Sequence, residues 1–175
     1  MNHAAKAPAP VRLETRSGLK ILVRPATEAD EPALSALFEK ISPEDRRFRF
    51  FSAAAHVGHE QLRPLIEADH YRSESFLAFE EASGELIGTG LLACDNAMET
   101  AEVAISIRGD RKGQGVGWAL LDLLTRDAER RGVARVISIE DRANHAAVEV
   151  ERDKGFVSRV MEGDPGLVVL TKSFR

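Results

Sequence analysis

Cysteine is almost missing from this chain: Cys94 stands alone. One thiol cannot close an internal disulfide, so the sequence points to a reducing compartment, and the cytoplasm is expected. At the end of an apolar run, Cys94 itself reads as a small core residue. Long apolar runs are missing too. None approaches the ~18–20 residues that span a bilayer, and the opening "MNHAAKAPAPVRLETRSG" lacks the apolar centre of a signal peptide. No membrane partner is expected. Charge of one sign is not concentrated either. The 24 basic and 28 acidic residues leave a net charge of −4, and there is no dense Lys/Arg cluster, which argues against nucleic acid as a partner. No metal site is predicted: His56 and His59, the close histidine pair, lie in a polar stretch without cysteine or carboxylate partners at ligand spacing.

What is present describes an ordinary globular protein. Hydrophobic residues make up 43% and charged residues 30% of 175 positions, enough for one domain. Residues 1–10, with Pro8 and Pro10, read as a disordered tail; residues 11–175 read as a single domain. There are no internal repeats.

Periodicity sets the element order. "VRLETRSGLKILVRPA" reads as a hairpin turning at Ser17-Gly18. Thr27 and Asp30 suggest a capping box, and Ala33, Leu34, Leu37, Phe38 and Ile41 follow at helical spacing. A second helix is expected at about 58–68. Strands are expected at 75–81, 85–95 and 101–108. In the last of these Val103, Ile105 and Ile107 alternate with Glu102, Ala104, Ser106 and Arg108. A helix over about 115–131 carries the stripe Val116, Leu120, Leu123, Leu124 and ends at Gly132. A strand at 134–140, a helix from Asn144 to about Lys154, and two strands around Gly163-Asp164-Pro165-Gly166 complete the chain. Many consecutive strands beside few helices make this α+β with a mixed sheet.

One stretch carries chemistry. "RKGQGVGWALL" places Gly113, Gly115 and Gly117 at the mouth of a helix. Glycines let successive backbone N–H groups approach one ligand. The first amides of a helix are unpaired and partly positive, so a phosphate completes them. It is not a Walker loop, because no G-x-x-x-x-G-K-[ST] string exists. It is not a dinucleotide fingerprint, because Trp118 and Leu120 stand where the last glycine would be, and the motif follows five strands instead of opening a βαβ unit.

Lys112-Gly113-Gln114-Gly115-Val116-Gly117 resembles the pyrophosphate loop of the GNAT superfamily of acyl-CoA-dependent N-acyltransferases, with Lys112 where Gln or Arg is usual. Asn144, Ala147, Val150, Gly155 and Phe156 match the pattern that follows the next strand in that superfamily. The resemblance implies the GNAT fold: a mixed central sheet of about six to seven strands, splayed at an acyl-CoA cleft and flanked by about four helices. It implies acetyl-CoA as co-substrate. Lys112, Gly113, Gln114, Gly115, Val116 and Gly117 would hold the pyrophosphate, and the backbone near Ile105 and Ile107 would pair with the pantetheine arm. Asn144 reads both as a helix cap and as a coenzyme contact, with the contact favoured. In this superfamily a tyrosine that protonates the leaving thiolate often stands where this chain has Glu151. That role is not carried over; Glu151 reads as a solvated helix residue, and the general acid stays unassigned.

Acyl transfer to an amine needs a base, because a lysine amine with a pKa of about 10.4 is almost wholly protonated at neutral pH. Glu102 is the candidate, on a strand resembling the catalytic glutamate strand of protein-lysine acetyltransferases. "SPEDRRFRFF" resembles a segment of the bacterial protein-lysine acetyltransferase (Pat) family through Ser42, Glu44, Arg49, Phe50 and Phe51. The resemblance covers residues 20–174 and implies a protein lysine as acceptor, without that family's fused regulatory regions. A small-molecule amine as acceptor, and a non-catalytic acyl-CoA sensor, are the alternatives. The acceptor, the acyl-chain preference and the oligomeric state, a homodimer included, stay open.

Overall fold

The computed structural model describes residues 6–43, 45 and 58–174. Glu44, Arg49, Phe50, Phe51 and His56 lie outside the described residues.

The N-terminal hairpin forms from β1 (Val11–Glu14) and β2 (Lys20–Pro25), joined by a turn in which Gly18 takes φ +88°. A 3-10 turn (Glu28–Asp30) leads into α1 (Glu31–Glu39). There the Thr27 amide donates to Asp30 Oδ2 at 2.7 Å, and Arg24 clamps both oxygens of the same carboxylate. That pairing holds the Asp30 carboxyl below its ordinary range. Next come α2 (His59–Ile66), β3 (Ser73–Glu80), β4 (Leu86–Cys94) and β5 (Thr100–Ile107). After the glycine stretch follow α3 (Val116–Arg130), β6 (Arg135–Asp141), α4 (His145–Asp153), β7 (Val157–Met161) and β8 (Asp164–Ser173).

The strands make one sheet in the order β1-β2-β3-β4-β5-β6-β8-β7. Every neighbouring pair is antiparallel except β5 with β6. Among the described residues the sheet holds eight strands, consistent with the expected mixed sheet of about six to seven, because both terminal hairpins join it. The expected turn at Gly163–Gly166 is also shorter: β8 already begins at Asp164, which pairs with Met161.

Each face buries its own core. On one side Leu34, Leu37 and Phe38 of α1 meet Leu62, Leu65 and Ile66 of α2 over Leu77. On the other, Leu120, Leu121 and Leu124 of α3 pack over Ile87, Leu92 and Val103. Gly88 and Gly90 permit that approach: a Cβ on Gly90 would stand 3.0 Å from Leu124 Cδ1, and one on Gly88 3.0 Å from Ile107 Cδ1. The helix is thus pressed onto β4 and β5, and its N-terminus is fixed at the end of β5. Among the described residues no helix is long and apolar enough to cross a membrane.

Candidate active site

The site begins with a failure of pairing. β5 and β6 run parallel, but their register holds only for Thr100↔Arg135, Ala101↔Val136 and Glu102↔Ile137. β5 continues to Ile107 on the β4 side, and β6 continues to Asp141 on the β8 side. Between them the sheet opens into a gap that closes at Glu102.

A cleft of about 320 Å³ fills this gap, within the size range of small-ligand sites. Glu102, Ile105 and Ile107 form the β5 wall; Lys112, Gly113, Gly115, Val116 and Gly117 form one end; Asn144, Val150 and Glu151 form the α4 wall. The structure therefore brings the candidate base and the candidate coenzyme-binding residues to one cleft, except Gln114. Gln114 does not line it, and its carbonyl accepts from Ser17 Oγ of the N-terminal hairpin at 2.7 Å.

Gly113 and Gly115 take the left-handed conformation, with φ of +76° and +86°. Gly115 is the N-cap of α3. It also lies against the hairpin, where an added Cβ would be 3.2 Å from Thr15 Cβ and 3.3 Å from the Arg16 amide. The residues at the start of α3 line the cleft, and the first amides of a helix lack intrahelical partners, so this end could supply donors to a phosphate group. Two nearby cations are paired with carboxylates: Lys112 Nζ lies 2.7 Å from Asp45 Oδ2, and Arg111 Nε lies 2.8 Å from Glu80 Oε2.

Asn144 caps α4, its Oδ1 accepting from the Ala147 amide at 3.4 Å, while its Nδ2 donates to Glu140 Oε2 at 3.4 Å. The cap is the role the structure shows, and the side chain still borders the cleft. Glu102 is exposed at the closed end of the gap.

Glu151 corrects an expectation. It is not solvated but 5% exposed, and its Oε2 has no hydrogen-bond partner. Burial, reinforced by the charge of Glu140, pushes its carboxyl up to about 8, against a hydrogen bond with Ser138 that acts the other way. Its neighbours Ser138 and Glu140 sit on the preceding strand, β6. The available signal was its position one turn beyond Ala147 and Val148 on the face that packs inward. Trp118 was also passed over. It lines the cleft with Arg16 at 3.9 Å and Lys154 at 4.2 Å from its ring centre.

Comparison with known proteins follows this geometry. A family described as "Acetyltransferase (GNAT) family" matches residues 34–156. Acetyltransferase PA5475 of Pseudomonas aeruginosa is 28% identical over 146 residues, which are 81% of this chain and 77% of that protein. The GNAT domain of S. lividans PAT is 24% identical with a TM-score of 0.87, covering 97% of this chain and all (100%) of that one. A cAMP-binding acyltransferase from Mycobacterium smegmatis is 22% identical with a TM-score of 0.65, covering 95% of this chain but 48% of its own. The last two likenesses establish the fold.

Proposed function

From the premise that the chain belongs to the acetyltransferase (GNAT) family, we propose that it moves the acetyl group of acetyl-CoA directly to a protein lysine, with Glu102 as general base. The family and the fold make it an acyltransferase that uses acetyl-CoA. The observation that carries the rest is the three-pair junction of β5 and β6, which leaves a cleft with a helix N-terminus at one end and a carboxylate at the other.

The division of labour follows the cleft. Amides of residues 113–117 would hold the pyrophosphate. The β5 edge around Ile105 and Ile107, past its last pair with β6, would take the pantetheine arm as an added strand. Asn144 would border the same arm. Glu102, exposed where the gap closes, is open to an incoming side chain and would accept the amine proton as attack proceeds. The lysine acceptor is supported by the likeness of "SPEDRRFRFF" to the Pat family and by this exposure, which suits an acceptor carried on a large molecule.

Thiol release tests the reading. Protein, acetyl-CoA and candidate acceptors are mixed, folded lysine-bearing proteins in one series and small amines in another. Release with folded proteins alone is expected. Release with small amines alone would move the acceptor class, and no release with any acceptor would overturn catalysis. In Glu102→Gln, kcat should fall about 100-fold with acetyl-CoA affinity little changed. Turnover near wild type at every pH would remove Glu102 from the mechanism.

A further inference from the structure

Coenzyme A carries its negative charge in two places. One is the pyrophosphate. The other is the phosphate monoester on the ribose of its nucleotide end. The glycine-loop amides at the start of α3 are placed for the first. The second needs a cation beyond those amides, on the side away from the pantetheine arm, that no carboxylate of the chain already holds.

Three cations near this end are held by carboxylates. Lys112 is paired with Asp45, Arg111 with Glu80, and Lys154 with Asp122 of α3. Lys172 is turned to a carbonyl, its Nζ donating to that of Lys154 at 2.8 Å. Arg16 differs from all of them. It stands in the turn of the first hairpin, is exposed, and has no ion pair with a carboxylate among the described residues. Its guanidinium lies instead 3.9 Å from the ring centre of Trp118.

The backbone sets the place of Arg16. The Thr15 amide donates to the Leu19 carbonyl at 2.8 Å and the Gly18 amide to the Thr15 carbonyl at 2.9 Å, which closes the turn. Ser17 Oγ fastens the turn to the loop by donating to the Gln114 carbonyl at 2.7 Å. The turn lies so close to the N-cap of α3 that a Cβ on Gly115 would stand 3.3 Å from the Arg16 amide. Arg16 is thus carried beside the phosphate loop. Trp118, the residue after Gly117, lines the cleft, and Arg16 does not, so the guanidinium stands at the rim. The pantetheine arm runs inward from the amides along β5; the ribose leaves them on the other side, toward this rim.

The cluster is short of an acceptor. Trp118 takes Arg16 and also Lys154, whose Nζ lies 4.2 Å from the ring centre. The indole N–H is enclosed and has no acceptor. Asp122 serves Lys154, and no anion serves Arg16 among the described residues.

We propose that Arg16 reads the ribose phosphate of coenzyme A, with Trp118 holding the guanidinium in position, so that the first hairpin is part of the donor site. The proposal rests on acetyl-CoA as the donor, but not on the acceptor or on Glu102. A guanidinium meets a phosphate monoester through two parallel N–H···O bonds, which an ammonium cannot form. Stacked on a ring, it keeps its edge N–H groups free and loses less rotamer freedom on binding. A donor without this phosphate keeps the pyrophosphate and the arm, so it binds more weakly but still binds.

Trp118 is the one tryptophan of the chain, so its emission reports binding here without turnover. Wild type and Arg16→Met are titrated with coenzyme A and with dephospho-coenzyme A at low salt, with calorimetry in parallel. Wild type should bind coenzyme A about 30-fold more tightly than the dephospho form. Methionine keeps an unbranched stem over the ring but no charge. In Arg16→Met the ratio should fall to about threefold, with affinity for the dephospho form within about twofold of wild type. Arg16→Lys should restore part of the ratio. Equal affinity of wild type for the two ligands overturns the proposal. Loss of both ligands in proportion by Arg16→Met overturns it too, since Arg16 would then serve the pyrophosphate or the loop. If wild type binds neither ligand, acetyl-CoA falls as the donor and takes the proposal with it, a result distinct from the other two.

Discussion

A carboxyl held protonated above its ordinary range makes folding depend on pH, and Glu151 should do so measurably. In the unfolded chain it titrates as an ordinary glutamic acid; in the fold it titrates at about 8. Below the ordinary range both states are protonated and the group contributes its full stability. As pH rises, the unfolded state loses the proton first, so stability is lost progressively up to about 8, and no further loss comes above it. Each unit of separation is worth about 1.4 kcal/mol, so the interval from 4.5 to about 8 is worth at most roughly 5 kcal/mol. Relaxation and water in the open cleft reduce this, and about 3 kcal/mol between pH 5 and pH 8 is the expected effect. Glutamine keeps the shape, has no proton to lose and can still donate to Glu140. The stability of Glu151→Gln relative to wild type should therefore rise by about 3 kcal/mol over that span. For a chain of this length that is roughly 6–12 °C in Tm. The assay is urea unfolding, supported by thermal scans, of both proteins at pH 5, 6.5 and 8. Because groups away from Glu140 and Glu151 titrate in both proteins alike, the difference between the two profiles isolates this carboxyl pair. Parallel profiles would refute the argument, since they would mean that Glu151 ionises in the fold as it does in the open chain.

Other perturbations follow from named contacts. Gly115→Ala forces a side chain into φ +86° and against Thr15 and the Arg16 amide. It should cost about 1–2 kcal/mol and weaken coenzyme A binding roughly tenfold, by calorimetry. Unchanged affinity would mean that the α3 amides do not hold the phosphates. Arg131→Met removes a guanidinium that reaches Asp127 at 3.0 Å, fully buried Glu74 at 3.3 Å, and the carbonyls of His70 and Tyr71. Leaving Glu74 with His70 alone should cost about 3–5 kcal/mol in urea unfolding, because a buried carboxyl and two carbonyls lose a donor without being rehydrated. A loss under about 1 kcal/mol would show that His70, 2.7 Å from Glu74, suffices alone.

The parts legible in sequence were those set by local periodicity. The alternation of Val103, Ile105 and Ile107 gave β5, and the stripe from Val116 to Leu124 gave α3; both stand within a residue or two of expectation. The glycine spacing of the loop gave its shape, and Gly113 and Gly115 take the conformation that only glycine adopts without cost. What stayed hidden depends on residues far apart in the chain. Nothing local tells that Lys112 is held by Asp45, or that Ser17 of the first hairpin supports the Gln114 carbonyl. Glu151 was hidden at shorter range, by the strand that precedes its helix. A glutamate near the end of an ordinary amphipathic helix is a solvated residue unless a strand places a second carboxyl against it, and Ser138 and Glu140 become its neighbours only when β6 leaves β5.

That departure also explains why two carboxyls that line one cleft stand in opposite surroundings. Glu102 lies on β5 at the last shared register, where the gap closes, and is exposed. Glu151 lines the opposite wall, closed in by α4 and β6 and set against another carboxyl. Had β5 and β6 stayed paired, the strands would have filled the space between the two side chains. The break in pairing that opens the cleft is thus also what separates the two environments.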